Sequence, residues 1–135
     1  VLPEQRIAMA DYAHHRSFAR PFPEILARTR AALAAQGFGI PSEIDTQAVF
    51  KARLERDSPA RVILGACLPE VAFAALGMEP DIAVLLPCNV VVREVEGGAE
   101  VAAIAPKVLF TLTRHVDPAH AEAVDQRILA ALDSI

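Results

Sequence analysis

Tryptophan is absent from this chain of 135 residues, and aromatic residues make up only 5% of it. Apolar residues nevertheless amount to 53%, so a core must be built mainly from Ala, Val, Ile and Leu. Side chains of this size suit close packing between a sheet and helices. The length is typical of one domain, and no linker, repeat or low-complexity segment interrupts it. We therefore predict a single domain over residues 1–135.

Long apolar runs and clusters of basic residues are also missing. The longest apolar stretch, residues 82–92, contains Pro87 and Asn89 and is shorter than the roughly 18–20 residues that cross a bilayer. The 13 basic and 17 acidic residues, with a net charge of −4, are scattered along the chain. Binding to a phosphate backbone needs a basic face instead. We therefore expect a soluble protein that binds neither membrane nor nucleic acid.

Two cysteines are too few for a disulfide framework in a domain of this length. Residues 1–6 are too polar for the apolar core of a signal peptide. They also lack an initiator Met, which a processed or truncated start would explain. A reducing cytoplasm is the simplest compartment to expect.

The positions of Pro and Gly, together with apolar periodicity, predict the element order β-α-β-α-β-α-β-β-α-α. Strands are expected at five places: residues 12–20, 38–44, 61–68, 82–95 and 100–104. The fourth strand is expected to be broken or bulged at Pro87. Gly39 and Pro41 favour an edge position or a bulge in the second strand, and Gly97-Gly98 fits a type I′ hairpin turn.

This order favours an α+β fold, specifically a two-layer sandwich of a mixed β-sheet covered by helices on one face. Two helices show a stripe at helical spacing: Ile25, Leu26, Thr29 and Leu33 in the first, and Val124, Ile128 and Leu132 in the last. The other face of such Ala- and Val-rich strands has few polar residues, so a partner chain would have to cover it. We therefore expect a homodimer.

Cys67 ends a strongly apolar strand, two residues before a helix that begins at Pro69-Glu70. Free N–H groups and the positive dipole end of that helix would favour a thiolate or an anionic ligand nearby. The Glu70 carboxylate opposes this effect. The simpler alternative is that Cys67 is a small buried hydrophobic residue.

Cys88 follows Pro87, which lacks an N–H donor and can redirect the strand, so its side chain need not follow the regular pleat. Asn89 adds an amide donor and acceptor of the kind that orients a ligand in an apolar pocket. The alternative is a bulge filled by Cys88 and held by Asn89. The candidate ligand-binding residues are therefore Cys67, Pro87, Cys88 and Asn89.

A redox pair or a soft-metal site would require Cys67 and Cys88 to lie at the same end of neighbouring strands. No C-x-x-C is present, and zinc would need about two more ligands, so we predict no metal site. His14 and His15 are adjacent on a strand and point to opposite faces, so they cannot grip one metal together. Either can line a pocket, with a heme or metal role as the alternative to a hydrogen-bonded side chain. No cofactor is identified.

Motifs for nucleotide or acyl chemistry are missing. Gly37-Phe38-Gly39 is too short for a dinucleotide fingerprint, and there is neither a P-loop nor a G-x-S-x-G elbow. Three glutamates near the predicted hairpin are interpreted as a solvent-exposed tip: Glu94, Glu96 and Glu100. We predict no catalytic residue, and an enzyme is not favoured.

Four segments together resemble the DUF302 family of uncharacterised prokaryotic domains: residues 36–39, 43–45, 63–67 and 85–92. The last, Leu-Leu-Pro-Cys-Asn-Val-Val-Val, is the most specific, and the similarity runs from about Ser17 to the final helix. The resemblance implies a compact α+β fold that forms homodimers, with no activity attached. In similar sequences an Asn often precedes the proline equivalent to Pro69, where this chain has Leu68.

Three functions therefore remain open. The first is a small-molecule-binding module with a pocket near Cys67, Cys88 and Asn89. The second is a thiol-dependent redox or sulfur-handling protein, and the third is a structural homodimeric interaction domain without a small ligand.

Overall fold

The computed structural model describes residues 10–135, so residues 1–6, whose polarity argued against a signal peptide, lie outside it. In the described part the strands are β1 (Ala13–Phe18), β2 (Gly39–Asp45), β3 (Arg61–Cys67), β4 (Cys88–Val95) and β5 (Gly98–Ile104). The helices are α1 (Phe22–Ala35), α2 (Thr46–Leu54), α3 (Pro69–Met78), α4 (Pro106–Leu109) and α5 (Pro118–Asp133). Short 3₁₀ helices occupy Pro80–Leu85 and Phe110–Leu112.

The five strands form one sheet in the order β1-β5-β4-β3-β2. The α+β class and the predicted order of elements are confirmed, but every pairing is antiparallel, so the sheet is not mixed. The reason lies in the connections: α2 and α3 each join strands that are direct antiparallel neighbours, so neither acts as a crossover between parallel strands. The predicted edge position of β2 is also confirmed, with an irregularity between Gly39 and Ser42.

Helices α1 and α5 cover one face of the sheet, where alternate strand residues form the core. These buried strand residues are Val62, Leu64, Ala66, Cys88, Val90, Val92, Ala99, Val101 and Ala103. Both predicted helical stripes pack against them, and all their residues are buried except Leu26, which is half-buried. Because these side chains are small, the two helices pack close to the sheet, as the composition indicated. We call the opposite face of the sheet, turned away from α1 and α5, the open face.

Helix ends follow the local chemistry of the sequence. The Asp45 carboxylate accepts a hydrogen bond from the Ala48 N–H at 3.0 Å and begins α2. The Asp117 carboxylate accepts one from Ala119 at 2.9 Å and begins α5. Helix α1 ends before Gly37, whose φ of +86° is readily adopted only by glycine.

Residues 82–95 do not form the single broken strand that their β-branched composition predicted. Pro80–Leu85 is a 3₁₀ helix, and Ile82 within it packs with Ala75 of α3 and with Val116 in a small separate apolar cluster. The strand therefore begins only at Cys88, after a cis peptide bond between Leu86 and Pro87.

The hairpin between β4 and β5 also differs from the prediction. Val95 pairs with Gly98, so the turn residues are Glu96 and Gly97, and only Gly97 has a positive φ. A type I′ turn needs a positive φ at both positions, so this prediction was wrong. Gly98 is needed for another reason: a Cβ there would lie 3.0 Å from the carbonyl carbon of Phe18.

Within the described residues, no helix has both the length and the apolar character required to cross a bilayer.

Candidate functional site

The open face is divided between an apolar half and a charged half. In the apolar half, paired residues form a row across the strands: His15, Ala102, Val91, Ile63 and Ile44. Directly paired residues point to the same side of a sheet, so these side chains share the open face.

The charged half begins one row further along, where Ser17, Glu100, Arg93 and Arg61 are paired in turn. The Arg93 Nε donates to a Glu100 carboxylate oxygen at 3.1 Å, and the Glu100 residue is only 8% exposed. Glu94 and Glu96 are exposed as predicted, but the expectation that Glu100 belongs to a solvated tip was wrong. The regular register of β4 and β5 brings its carboxylate beside a guanidinium, which offsets the cost of burial.

A cavity of about 400 Å³ lies over the apolar half of the open face. Its floor comes from β4 and β5, one wall from the residues at and before β1, and the other wall from the segments around Leu85 and Leu109. Polar side chains in its lining are those of Tyr12, His15 and Asn89. The remaining lining residues are Ala10, Ala13, Leu85, Pro87, Val91, Ala102, Ala103, Ile104 and Leu109.

The Pro87 ring reaches this cavity because Gly65 has no side chain. Gly65 pairs with Asn89 on one side and with Ser42 on the other. A Cβ on Gly65 would lie 2.7 Å from Pro87 Cγ and still closer to the Ser42 hydroxyl oxygen. The proline ring therefore packs directly over the glycine and becomes part of the cavity wall.

The two neighbouring histidines point to opposite faces, as their adjacency on a strand predicted. On the helix-covered face, His14 Nε2 lies 3.1 Å from an Asp125 carboxylate oxygen of α5, and Asp125 is buried. On the open face, His15 lines the large cavity. His14 therefore ties β1 to α5, and His15 is available to the cavity.

Cys67 and Cys88 border a different and much smaller cavity, of about 20 Å³, between α3 and the ends of β3 and β4. This volume holds about one water molecule, and its lining is almost entirely apolar. Leu68, which stands where similar sequences often have Asn, is buried at its edge. Both cysteines are free thiols.

Burial, and to a smaller extent the neighbouring Cys67, raises the pKa of the Cys88 thiol to about 11. A thiol with this pKa remains protonated at neutral pH, and the protonated form is neither a good nucleophile nor a metal ligand. A role in core packing therefore fits Cys88 better than a role as a nucleophile or a metal ligand.

The four candidate residues are thus divided between two cavities. The structure brings Cys67 and Cys88 together, and it brings Pro87 and Asn89 together, but the register of β4 turns neighbouring Cys88 and Asn89 to opposite faces. The sequence did not indicate Tyr12 as a site residue, and it did not decide whether His14 or His15 lines a pocket. Only the pairing of β1 with β5 places Tyr12 and His15 at the cavity.

Metal-ligating side chains are not gathered in the part of the chain that the structure describes. Among residues 10–135, no group of three or more His, Cys, Asp or Glu side chains is placed to hold a metal ion.

A family model described as "Domain of unknown function DUF302" matches residues 14–135. The chain belongs to the DUF302 family. The crystal structure of an uncharacterized conserved DUF302 protein from Bacillus stearothermophilus is similar to this DUF302 domain, with a TM-score of 0.81 and 24% sequence identity. The alignment covers 93% of this chain and 98% of that one, so the two share a fold over nearly their whole lengths. A search of curated proteins found no match.

Proposed function

We propose that this DUF302 domain is a small-molecule-binding module and that its pocket is the cavity on the open face. The observation that carries the proposal is the cavity itself: about 400 Å³ of space above an apolar sheet surface, with three polar side chains in its lining. Ligand sites have volumes of roughly 300–1,000 Å³ and combine an apolar lining with a few polar groups. Pro87 and Asn89 form part of this pocket, and the two thiols lie outside it.

The thiol-dependent alternative has less support. Cys88 is buried, with a pKa raised to about 11, and the space beside the two sulfurs holds about one water molecule. A redox or sulfur-transfer site needs an accessible thiolate. Cys88 provides neither the access nor the ionised sulfur, and the half-buried Cys67 has no second accessible thiol beside it.

The test is a fragment screen by ¹H–¹⁵N NMR with the wild-type chain and two variants. Ala102→Leu places a larger side chain on the cavity floor, between His15 and Val91. Ala34→Leu makes the same change on the exposed side of α1 and serves as the matched control. We expect fragments that shift the amide signals of Val91 and Ala102 in the wild type and in Ala34→Leu.

The same fragments should cause no such shifts in Ala102→Leu. Fragments that bind Ala102→Leu as tightly as the wild type would show that the ligand site lies elsewhere. A screen in which no fragment shifts cavity amides would overturn the proposal.

A homodimeric interaction domain is the second candidate, and the exposed edge of the sheet favours it. Strand β2 has no neighbour on its outer side within residues 10–135, and Ile44 on it is 48% exposed. Helix α2, which follows directly, buries none of its residues, and Val49, Phe50 and Leu54 are exposed. Edge strands with exposed apolar side chains readily pair with a second copy about a twofold axis.

Sedimentation analysis at high micromolar concentration tests this second candidate. We expect a dimer for the wild type, a monomer for Ile44→Lys, and a dimer for Val84→Lys, which alters an exposed apolar residue far from β2 in the sequence. A monomeric wild type, or a dimer that Ile44→Lys leaves intact, would contradict the use of this edge.

A further inference from the structure

We infer that the cavity on the open face accepts an uncharged, elongated and flat ligand with hydrogen-bonding groups at both ends, one of which is an amide-like group held by Asn89. This inference rests on the proposed function, because it names the ligand class of the same pocket.

The charge of the ligand follows from the lining. Among the described residues that line the cavity there is no Asp, Glu, Lys or Arg. A ligand charge that binding covers on this apolar floor would have no oppositely charged Arg, Lys, Asp or Glu side chain to pair with, which is costly, whereas an uncharged polar group needs only a hydrogen bond. The nearest charged row of the open face contains Arg93 and Glu100, which pair with each other. A phosphate or a carboxylate would therefore find no cationic Arg or Lys side chain in this lining.

The polar side chains of the cavity are open to solvent: Asn89 and Tyr12 are exposed, and His15 is half-buried. Within residues 10–135, neither the His15 ring nor the Asn89 amide makes a side-chain hydrogen bond, although both line the cavity. An amide side chain offers paired donors and acceptors, and a neutral imidazole offers one of each. These two groups are therefore available to a ligand.

The length of the ligand follows from where these two groups sit on the sheet. His15 on β1 pairs with Ala102 on β5, Ala102 pairs with Val91 on β4, and Asn89 lies two residues before Val91 on the same strand. Strands are about 4.8 Å apart and each residue advances about 3.3 Å, so the Cα atoms of His15 and Asn89 are about 12 Å apart. The two polar groups thus mark opposite ends of the cavity floor.

The middle of the ligand follows from the floor between these ends. Ala102 and Val91 occupy it, and Ala13 and Ile104 form the neighbouring pair on β1 and β5. Small and β-branched side chains on a sheet make a shallow apolar surface. A flat apolar body, such as linked aromatic rings, would cover this surface and keep both of its polar ends in reach of His15 and Asn89.

Three probes that share the same flat hydroxybiphenyl body test the inference by calorimetry. They are 4′-hydroxybiphenyl-4-carboxamide, the corresponding carboxylate, and 4-hydroxybiphenyl, which lacks the amide end. We expect the carboxamide to bind about tenfold more tightly than either of the others, the effect of one good hydrogen bond or one avoided buried charge. In Asn89→Leu the carboxamide and 4-hydroxybiphenyl should bind equally, and Ala102→Leu should bind none of the three.

The failures are distinguishable. Equal binding of the three probes, tighter binding of the carboxylate, or a carboxamide preference that survives in Asn89→Leu overturns the ligand class and leaves the pocket in place. The same conclusion follows if no probe binds while screening fragments still occupy the cavity. If neither probes nor fragments bind, the proposed function fails together with the inference.

Discussion

At the scale of single residues, Cys88 shows how burial determines the chemistry of a side chain. Its sulfur lies among the apolar core residues at the start of β4, and its pKa is raised to about 11. At pH 8 the Cys88 thiol is then ionised in about one protein molecule in a thousand. Cys67, at the end of β3, is only half-buried.

Alkylation therefore should separate the two cysteines. We expect iodoacetamide at pH 8 to modify Cys67 in the folded chain and to leave Cys88 unmodified, and both to react in denaturant. Peptide mass mapping over a series of pH values makes the measurement, with Cys67→Ala and Cys88→Ala as single-thiol controls. Modification of Cys88 in the folded protein at the rate of a free thiol would contradict its burial.

Gly65 gives a second prediction at this scale, because the Pro87 ring and the Ser42 hydroxyl occupy the space that a side chain would need. We expect Gly65→Ala to lower the free energy of unfolding by about 1–3 kcal/mol, the usual cost of overpacking. Gly77→Ala is the matched control, since nothing lies within 4 Å of a Cβ there. That change in α3 should raise stability by up to about 1 kcal/mol. Equal effects of the two changes in urea unfolding would refute the steric argument.

At the scale of elements, two side-chain contacts join β1 to α5, and they differ in burial. His14 pairs with the buried Asp125, whereas Arg16 pairs with the exposed Asp133 at 2.8 Å. We expect Asp125→Ala to lower the free energy of unfolding by about 1–3 kcal/mol, because a partly buried ring nitrogen loses its partner. Asp133→Ala should change it by less than about 0.5 kcal/mol. The prediction fails if urea unfolding gives similar losses for the two variants.

Glu79 connects the end of α3 to residues 114–115 and makes the stability of this region depend on pH. Its carboxylate accepts backbone hydrogen bonds from Arg114 and His115, both at 2.7 Å, and the bond from His115 is the larger cause of its lowered pKa. A carboxyl whose pKa is lower in the folded chain stabilises the fold above its unfolded pKa. That contribution disappears as the pH falls below about 4.5 through the lower, folded value.

The wild type should therefore be more stable than Glu79→Gln at pH 7, and the difference should shrink steadily below pH 4.5. Thermal unfolding of both chains between pH 3 and pH 7 measures it. Glu96→Gln, a change at an exposed glutamate in the β4–β5 turn, is the control and should show no such trend. A constant difference between wild type and Glu79→Gln at all pH values would mean that the carboxylate charge is not involved.

Elements specified by nearby residues could be predicted from the sequence, and others could not. The helical stripes of α1 and α5 depend on local spacing, and the sequence predicted both of them. The 3₁₀ helix Pro80–Leu85 was missed because its composition resembles a strand. Its shape depends on packing of Ile82 against Ala75 and Val116, contacts that are distant in the sequence.

At the scale of the whole molecule, the same distinction explains the candidate site. The sequence indicated the importance of residues 87–89, but a shift of one position in a strand changes the face on which a side chain lies. The register of β4 with β3 decides that Cys88 faces the helices and Asn89 the cavity. Tyr12 and His15 join the site only because β1 pairs with β5, near the other end of the chain.

The pairing of β1 with β5 has a thermodynamic consequence. Among residues 10–135, β1 is an edge strand that pairs with the sheet along one side only, yet it contributes His15 to the cavity wall. A ligand that contacts His15 binds only molecules in which β1 is docked, so its binding energy opposes detachment of that strand. Saturating ligand should slow amide hydrogen exchange in β1 more than in the central strand β4. Equal slowing in both strands would mean that the ligand suppresses only the unfolding of the whole domain. Detachment of β1 by itself would then not be linked to ligand binding.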